Sequence, residues 1–212
     1  MPNFIYFSAE PENAADGPSL ALGFGFTREG RWRPLPLPRA EALAVDDRFL
    51  PAPAGLRQAE QALRAFGGLV VLDFERPLRP ELLALADALQ GFPVAVPPAY
   101  AGAPHMLVLV GPYAPGVPYH RWLLAQKETY GPVLLDLAPI RHLAAPGRQA
   151  APCAGPLPEG GRYCAGAVCL YGLQPDGSVL FWDSRQTLLQ RWQLSDAPAL
   201  ALRGEWKALP ER

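Results

Sequence analysis

Eight short apolar runs punctuate the chain, at residues 4–7, 20–26, 42–45, 69–72, 94–96, 106–110, 133–137 and 199–202. Their hydrophobicity is continuous, as in Leu69-Val-Val-Leu72 and Met106-Leu-Val-Leu-Val110. A strand with one wetted face alternates apolar and polar residues. A run without that alternation belongs to a strand covered on both faces, the condition of a parallel sheet. Helical patterns separate several runs. Residues 55–66 repeat Leu56, Ala59, Leu63 and Phe66 at helical spacing, and residues 80–89 open on Pro80 and repeat Leu82, Leu85, Ala86 and Leu89. Residues 119–129 and 184–194 read as two more helices, the second with Ser184 as its N-cap. Repetition of strand, helix and strand implies right-handed crossovers, and eight such strands point to a closed sheet. The predicted fold class is α/β, a TIM-like (β/α)8 barrel forming a single domain over residues 1–212.

The barrel is short and degenerate, because a full one usually takes about 250 residues and this chain has 212. Three runs fall within the first 45 residues, which leaves no room for outer helices between them. Residues 27–31 read instead as a tight turn out of the second strand. Missing helices near the N-terminus leave an apolar flank, to be covered by the proline-rich segment 34–38 or by a second copy in a homo-oligomer. Residues 144–183 also leave the rhythm. They open as a loop rich in Pro, Gly and Ala, then place Pro175-Asp-Gly-Ser178 between two apolar runs. That is turn chemistry, and it predicts a β-hairpin inserted after the seventh strand.

Composition excludes several classes of function. The formal net charge is −1 and basic residues are scattered singly, as at Arg28, Arg31 and Arg33, so no nucleic-acid footprint is present. No apolar stretch approaches the ~18 residues of a membrane span, and no basic segment followed by an apolar run marks a signal peptide at Met1. The 26 prolines accompany Leu- and Val-rich runs, which indicates rigid loops on a folded body. Abundant Ala, Leu, Pro, Gly and Arg fit a GC-rich, bacterial genome. Cys153, Cys164 and Cys169 crowd one segment; free thiols, a disulfide and a metal site are all open, although the spacing suits zinc poorly and no histidine lies close. A reducing cytoplasm fits such thiols best. His105, His120 and His142 follow no ligand spacing, and nothing in the sequence implies a cofactor.

The most informative stretch is Leu69-Val-Val-Leu-Asp-Phe-Glu-Arg-Pro77. Two carboxylates at the tip of a buried strand are costly unless they line a polar mouth. Asp73 and Glu75, two residues apart, point to one face of a strand, and the C-terminal strand ends form the active face of such barrels. Like charges held close raise the proton affinity of one member, which keeps a general acid loaded near neutral pH. Two other readings stay open: Asp73 caps the following helix while Glu75 pairs with Arg76 or Arg79, or the two are metal ligands. Asp136, inside the seventh run, is a candidate for the same mouth or for a satisfied buried carboxylate. Asp46-Asp47-Arg48 ends the third run and is either part of the mouth or a helix start.

Asp-x-Glu closing the fourth strand resembles the second half of the Asp-x-x-Asp-x-Asp-x-Glu signature of glycoside hydrolase family 18, the chitinase-like barrels. The resemblance implies that Glu75 protonates the glycosidic oxygen while Asp73 orients the substrate acetamide, whose oxygen attacks the anomeric carbon. It extends to the order of late elements, with residues 179–183, 184–191 and 199–206 running strand–Asp, helix, last strand. It makes Trp206 similar to the tryptophan that floors the sugar site at the end of the eighth strand, and Tyr113 similar to the tyrosine that supports the acetamide. The first two aspartates of the signature are replaced by Gly68 and Val71. Three functions follow as expectations. One is a hydrolase acting on N-acetylated β-linked glycans. Another is a non-catalytic carbohydrate-binding or interaction protein on the same barrel. The last is a metal-dependent phosphodiester hydrolase, which lacks the paired histidines such sites use.

Overall fold

All eight apolar runs become strands of one closed parallel barrel. The computed structural model describes residues 4–8, 18–33, 40–158 and 160–211. The strands are β1 Ile5–Ser8, β2 Ser19–Phe24, β3 Ala42–Asp46, β4 Leu69–Asp73, β5 Val94–Val96, β6 Leu107–Val110, β7 Val133–Asp136, β8 Arg141–Ala144, β9 Ala151–Pro152, β10 Arg162–Cys164, β11 Cys169–Leu173, β12 Val179–Trp182 and β13 Ala199–Ala201. β1 to β7 and β13 make the barrel, which closes where β13 lies between β7 and β1. The helices are α1 Pro53–Phe66, α2 Pro80–Ala88, α3 Tyr119–Tyr130, α4 Arg185–Ser195 and α5 Arg203–Ala208, with a 3-10 turn at Pro98–Tyr100 in place of a helix between β5 and β6.

Continuous hydrophobicity has the predicted origin. Tyr6, Leu20, Ala42, Ala44, Leu69, Val71, Ala95, Leu107 and Leu134 fill the barrel interior. Their strand neighbours Leu43, Val45, Val70, Leu72, Val133 and Leu135 pack outward under the helices. Both faces are dry, so both must be apolar. The helix ends follow local chemistry. Pro53 and Pro80 stand in the first turns of α1 and α2, where a missing N–H costs nothing. Ser184 caps α4 by accepting from the Thr187 N–H, while the Thr187 hydroxyl accepts from the Ser184 N–H.

The N-terminal links are as lean as their length requires. Among the described residues no helix lies between β1 and β3. Thr27 to Arg31 close a tight turn, with Phe26 bridged antiparallel to Trp32 and the Thr27 N–H donating to the Arg31 carbonyl at 2.8 Å. The proline-rich segment expected to cover this flank falls on residues 34–39, outside the described residues.

The insertion is larger than a hairpin. β11 and β12 form the hairpin predicted around Pro175-Asp-Gly-Ser178, but they belong to a five-stranded antiparallel sheet ordered β10-β11-β12-β8-β9. It begins at Arg141, ahead of the expected boundary at 144. The extra strands are two to four residues long, too short to show a period in the sequence. Among the described residues no helix is long and apolar enough to cross a membrane.

Candidate functional site

The alternation that fills the barrel also fixes what stands at its mouth. In β4, Leu69 and Val71 point inward, so Asp73 is the next inward residue and ends the strand. In β7, Leu134 points inward and Asp136 follows it at the strand tip. The two carboxylates line one cavity of about 160 Å³ at the C-terminal end of the barrel, walled by Leu20, Leu22, Ala44, Val71, Leu109, Leu200 and Leu202. Glu205, on α5, reaches the same cavity.

These acids are not independent. Asp73 is exposed at the cavity mouth, yet partial desolvation there raises its proton affinity most, and the charges of Glu75, Asp47 and Asp46 raise it further. Asp136 is also pushed up, chiefly by desolvation and then by the charges of Asp73 and Glu205; the Ala138 N–H, donating to Asp136 Oδ1 at 2.9 Å, works in the opposite direction. Asp73 and Asp136, over an aliphatic throat, thus hold their protons above the normal carboxylate range.

Glu75 lies beyond the strand end and is exposed, yet near enough for its charge to act on Asp73. Between them Phe74 points outward and packs edge-on against Tyr100, centroids 5.4 Å apart, which anchors the turn. Arg76 takes no part in an ion pair with Glu75. Its N–H donates to Asp47 Oδ2 at 2.7 Å and its guanidinium to the Asp47 and Arg48 carbonyls, tying the ends of β3 and β4 together. Asp46 accepts from the Arg48 N–H at 3.0 Å and faces Arg33 at 3.9 Å.

Trp206 and Tyr113 do not join this group. β13 ends at Ala201, and Trp206 stands on α5, half-buried against Phe7 on the outer side with ring centroids 5.3 Å apart. Extended strand through residue 206 would give it the inward parity of Leu200. The helix that starts at Arg203, whose N–H is taken by Ser8 Oγ at 2.9 Å, breaks that period and brings Glu205 to the mouth instead. Tyr113 is buried beneath the Arg191 guanidinium, 5.0 Å from its ring centre, and its hydroxyl donates to the Val117 carbonyl at 2.5 Å. Burial pushes that phenol up to about 12. It belongs to a second polar cluster, between barrel and inserted sheet, centred on the Arg191–Asp183 pair.

Two substitutions test the mouth without any substrate. Asp136 binds its proton more tightly folded than unfolded, so the folded state carries more protons from about its ordinary value of 3.8 upward, and stability falls as pH rises through that window. Asp136→Asn keeps an acceptor for the Ala138 N–H and removes the charge. It is expected to raise stability at pH 7 by an amount on the order of 1 kcal/mol, and Tm with it, with the gain vanishing below pH 3.8. Melting curves across pH check both sign and window. Gly111, at φ +126°, packs on Asp136: a Cβ there would come within 2.9 Å of its carbonyl oxygen. Gly111→Ala is expected to destabilise by about 1–3 kcal/mol, read by denaturant unfolding.

Among the described residues no group of three or more His, Cys, Asp or Glu is arranged to hold a metal ion. In comparisons with protein-family models, curated proteins and solved structures, none matches the chain.

Proposed function

We propose that the barrel mouth carries out acid-assisted hydrolysis of a glycan, in the manner of chitinase-like barrels, on an N-acetylated β-linked substrate. The observation that carries this reading is Asp73, inward at the tip of the fourth strand, with its proton affinity raised and Asp136 lining the same small cavity. Glu75 at the open rim gives its proton to the leaving oxygen as the glycosidic bond breaks. Asp73 holds the acetamide so that its oxygen forms the new bond to the anomeric carbon. Water then opens that ring and returns a proton to Glu75. Asp136 fits the place of the supporting acid that Val71, a buried apolar wall residue, cannot supply.

One observation favours a second reading, a non-catalytic carbohydrate-binding protein. The cavity walls are aliphatic, and Trp206 packs outside them, so the aromatic platform usual for a sugar ring is missing. Release of chromophore from aryl N-acetyl-chitooligosaccharides, paired with calorimetric titration of the free oligomers, separates the two. Turnover supports hydrolysis, binding without turnover supports the second reading, and neither rules out both.

A further inference from the structure

Cys164 ends β10 and Cys169 begins β11, and the antiparallel register sets them directly opposite each other. Residues opposed in this way have Cα atoms about 4.5–5.5 Å apart, inside the range a disulfide spans. They flank a four-residue turn that is itself held: the Gly166 carbonyl accepts the Tyr119 N–H at the start of α3 at 2.8 Å, and Ala167 and Val168 are buried. Val168 adopts φ +50°, a conformation a β-branched residue takes only when its surroundings impose it. The pair therefore meets at the base of a clamped loop, not by chance encounter of mobile ends.

The two sulfurs differ in access. Cys164 lines a surface cleft of about 470 Å³ between the inserted sheet and the turn holding Tyr113 and Val117. Cys169 is buried beside Arg191 and Asp183. Cys153 lies beyond β9, at the other edge of the sheet from β10.

We propose that Cys164 and Cys169 are a thiol-oxidation site, a reversible cross-strand disulfide in which Cys164 meets a small disulfide oxidant first and Cys169 resolves it. The Cys164 thiolate attacks one sulfur of glutathione disulfide, forms a mixed disulfide and expels a glutathione thiolate. The Cys169 thiolate then attacks the Cys164 sulfur and expels the second glutathione. The protein loses two electrons and two thiol protons, and the oxidant becomes two reduced thiols. Burial pushes the Cys169 thiol up to about 12, with Asp183 and Cys164 adding to the effect and Arg191 opposing it. The resolving step is therefore slow at neutral pH and quickens about tenfold per pH unit below that value.

The test treats the full chain with excess glutathione disulfide, then blocks free thiols with iodoacetamide and maps the peptides. Expected is a Cys164–Cys169 linked peptide with neither of the two alkylated, Cys153 either alkylated or carrying glutathione, and full recovery of all three thiols with dithiothreitol. Closing so short a loop should raise Tm by about 5 °C. A Cys169→Ser variant should stop at glutathionylated Cys164, and a Cys164→Ser variant should leave Cys169 unmodified. Three alkylated cysteines after oxidation, a link through Cys153, or glutathione trapped on Cys164 of the unaltered chain at pH 9 would each overturn the proposal.

Discussion

Arg191→Met is expected to lower stability by about 3–5 kcal/mol, a fall in Tm of about 10 °C for a chain of this size. Arg191 and Asp183 are 3% and 0% exposed at the side chain, and the guanidinium meets the carboxylate through two bonds of 2.9 and 2.7 Å. The carboxylate also accepts from the Ile140 N–H at 2.9 Å and the Thr187 hydroxyl at 3.1 Å. Asp183 thus ties the entry to β8 and the cap of α4 to one buried point, while the guanidinium rests on Tyr113, past the end of β6, and Tyr119, at the start of α3. Methionine fills the volume but leaves a buried anion with two donors and no cation. The loss comes from that stranded charge more than from the pair's own attraction. The double variant Asp183→Leu/Arg191→Met should recover part of the loss, since it removes the charge and leaves only the Ile140 N–H short of a partner, the Thr187 hydroxyl keeping the Ser184 carbonyl at 3.0 Å. Calorimetric melts of the three proteins check this; a single variant that melts with the parent would mean the pair does not hold sheet to barrel.

Glu75→Gln is expected to lower turnover of an N-acetyl-chitooligosaccharide with a poor leaving group by about 10²–10⁴-fold, the usual worth of a positioned acid, while oligomer binding stays largely intact. Glutamine preserves size and hydrogen bonding but has no proton to give. Because Glu75 is exposed, the substitution leaves the fold intact. It also removes a charge that raises the Asp73 proton affinity. Asp73→Asn should impair turnover as well, since an acetamide held loosely is a poor nucleophile. The two variants differ in one respect: substrates with a good leaving group need little protonation and should partly rescue Glu75→Gln but not Asp73→Asn. Turnover that survives Glu75→Gln on a poor leaving group would move the acid elsewhere.

The barrel was legible because its strands are dry on both faces. Each had to be a continuous apolar run, and β4 and β7 announced their tips by the polar residue that broke the run at Asp73 and Asp136. The inserted sheet was legible only where turn chemistry was strong, at Pro175-Asp-Gly-Ser178. β9 and β10 span two and three residues, fewer than a period-2 pattern needs to register. At the site, the inward acids on strands could be read from parity, whereas Glu205 could not. Its placement depends on α5, a six-residue helix with a glycine inside it, too short for helical periodicity to show in the sequence. The same helix carries Trp206 outward. Tyr113 lies past the end of β6, where strand parity no longer dictates direction.

The barrel seam joins segments far apart in the chain, because Ile5 pairs with Ala199 while β3 and β4 pair through Ala42 and Leu69. Loop-closure entropy grows only with the logarithm of separation, so the seam is dearer than the β3–β4 contact by roughly 2 kcal/mol. That modest difference still orders events. The consecutive strands β1 to β7, each beside its neighbour in sequence, can zip together early, whereas β13 must dock between β7 and β1 to close the barrel. Until the seam shuts, β7 and β1 each offer an unpaired backbone edge, and the carboxylates of Asp73 and Asp136 have no closed cavity to share. Assembly of the acidic mouth is thus a late event of folding.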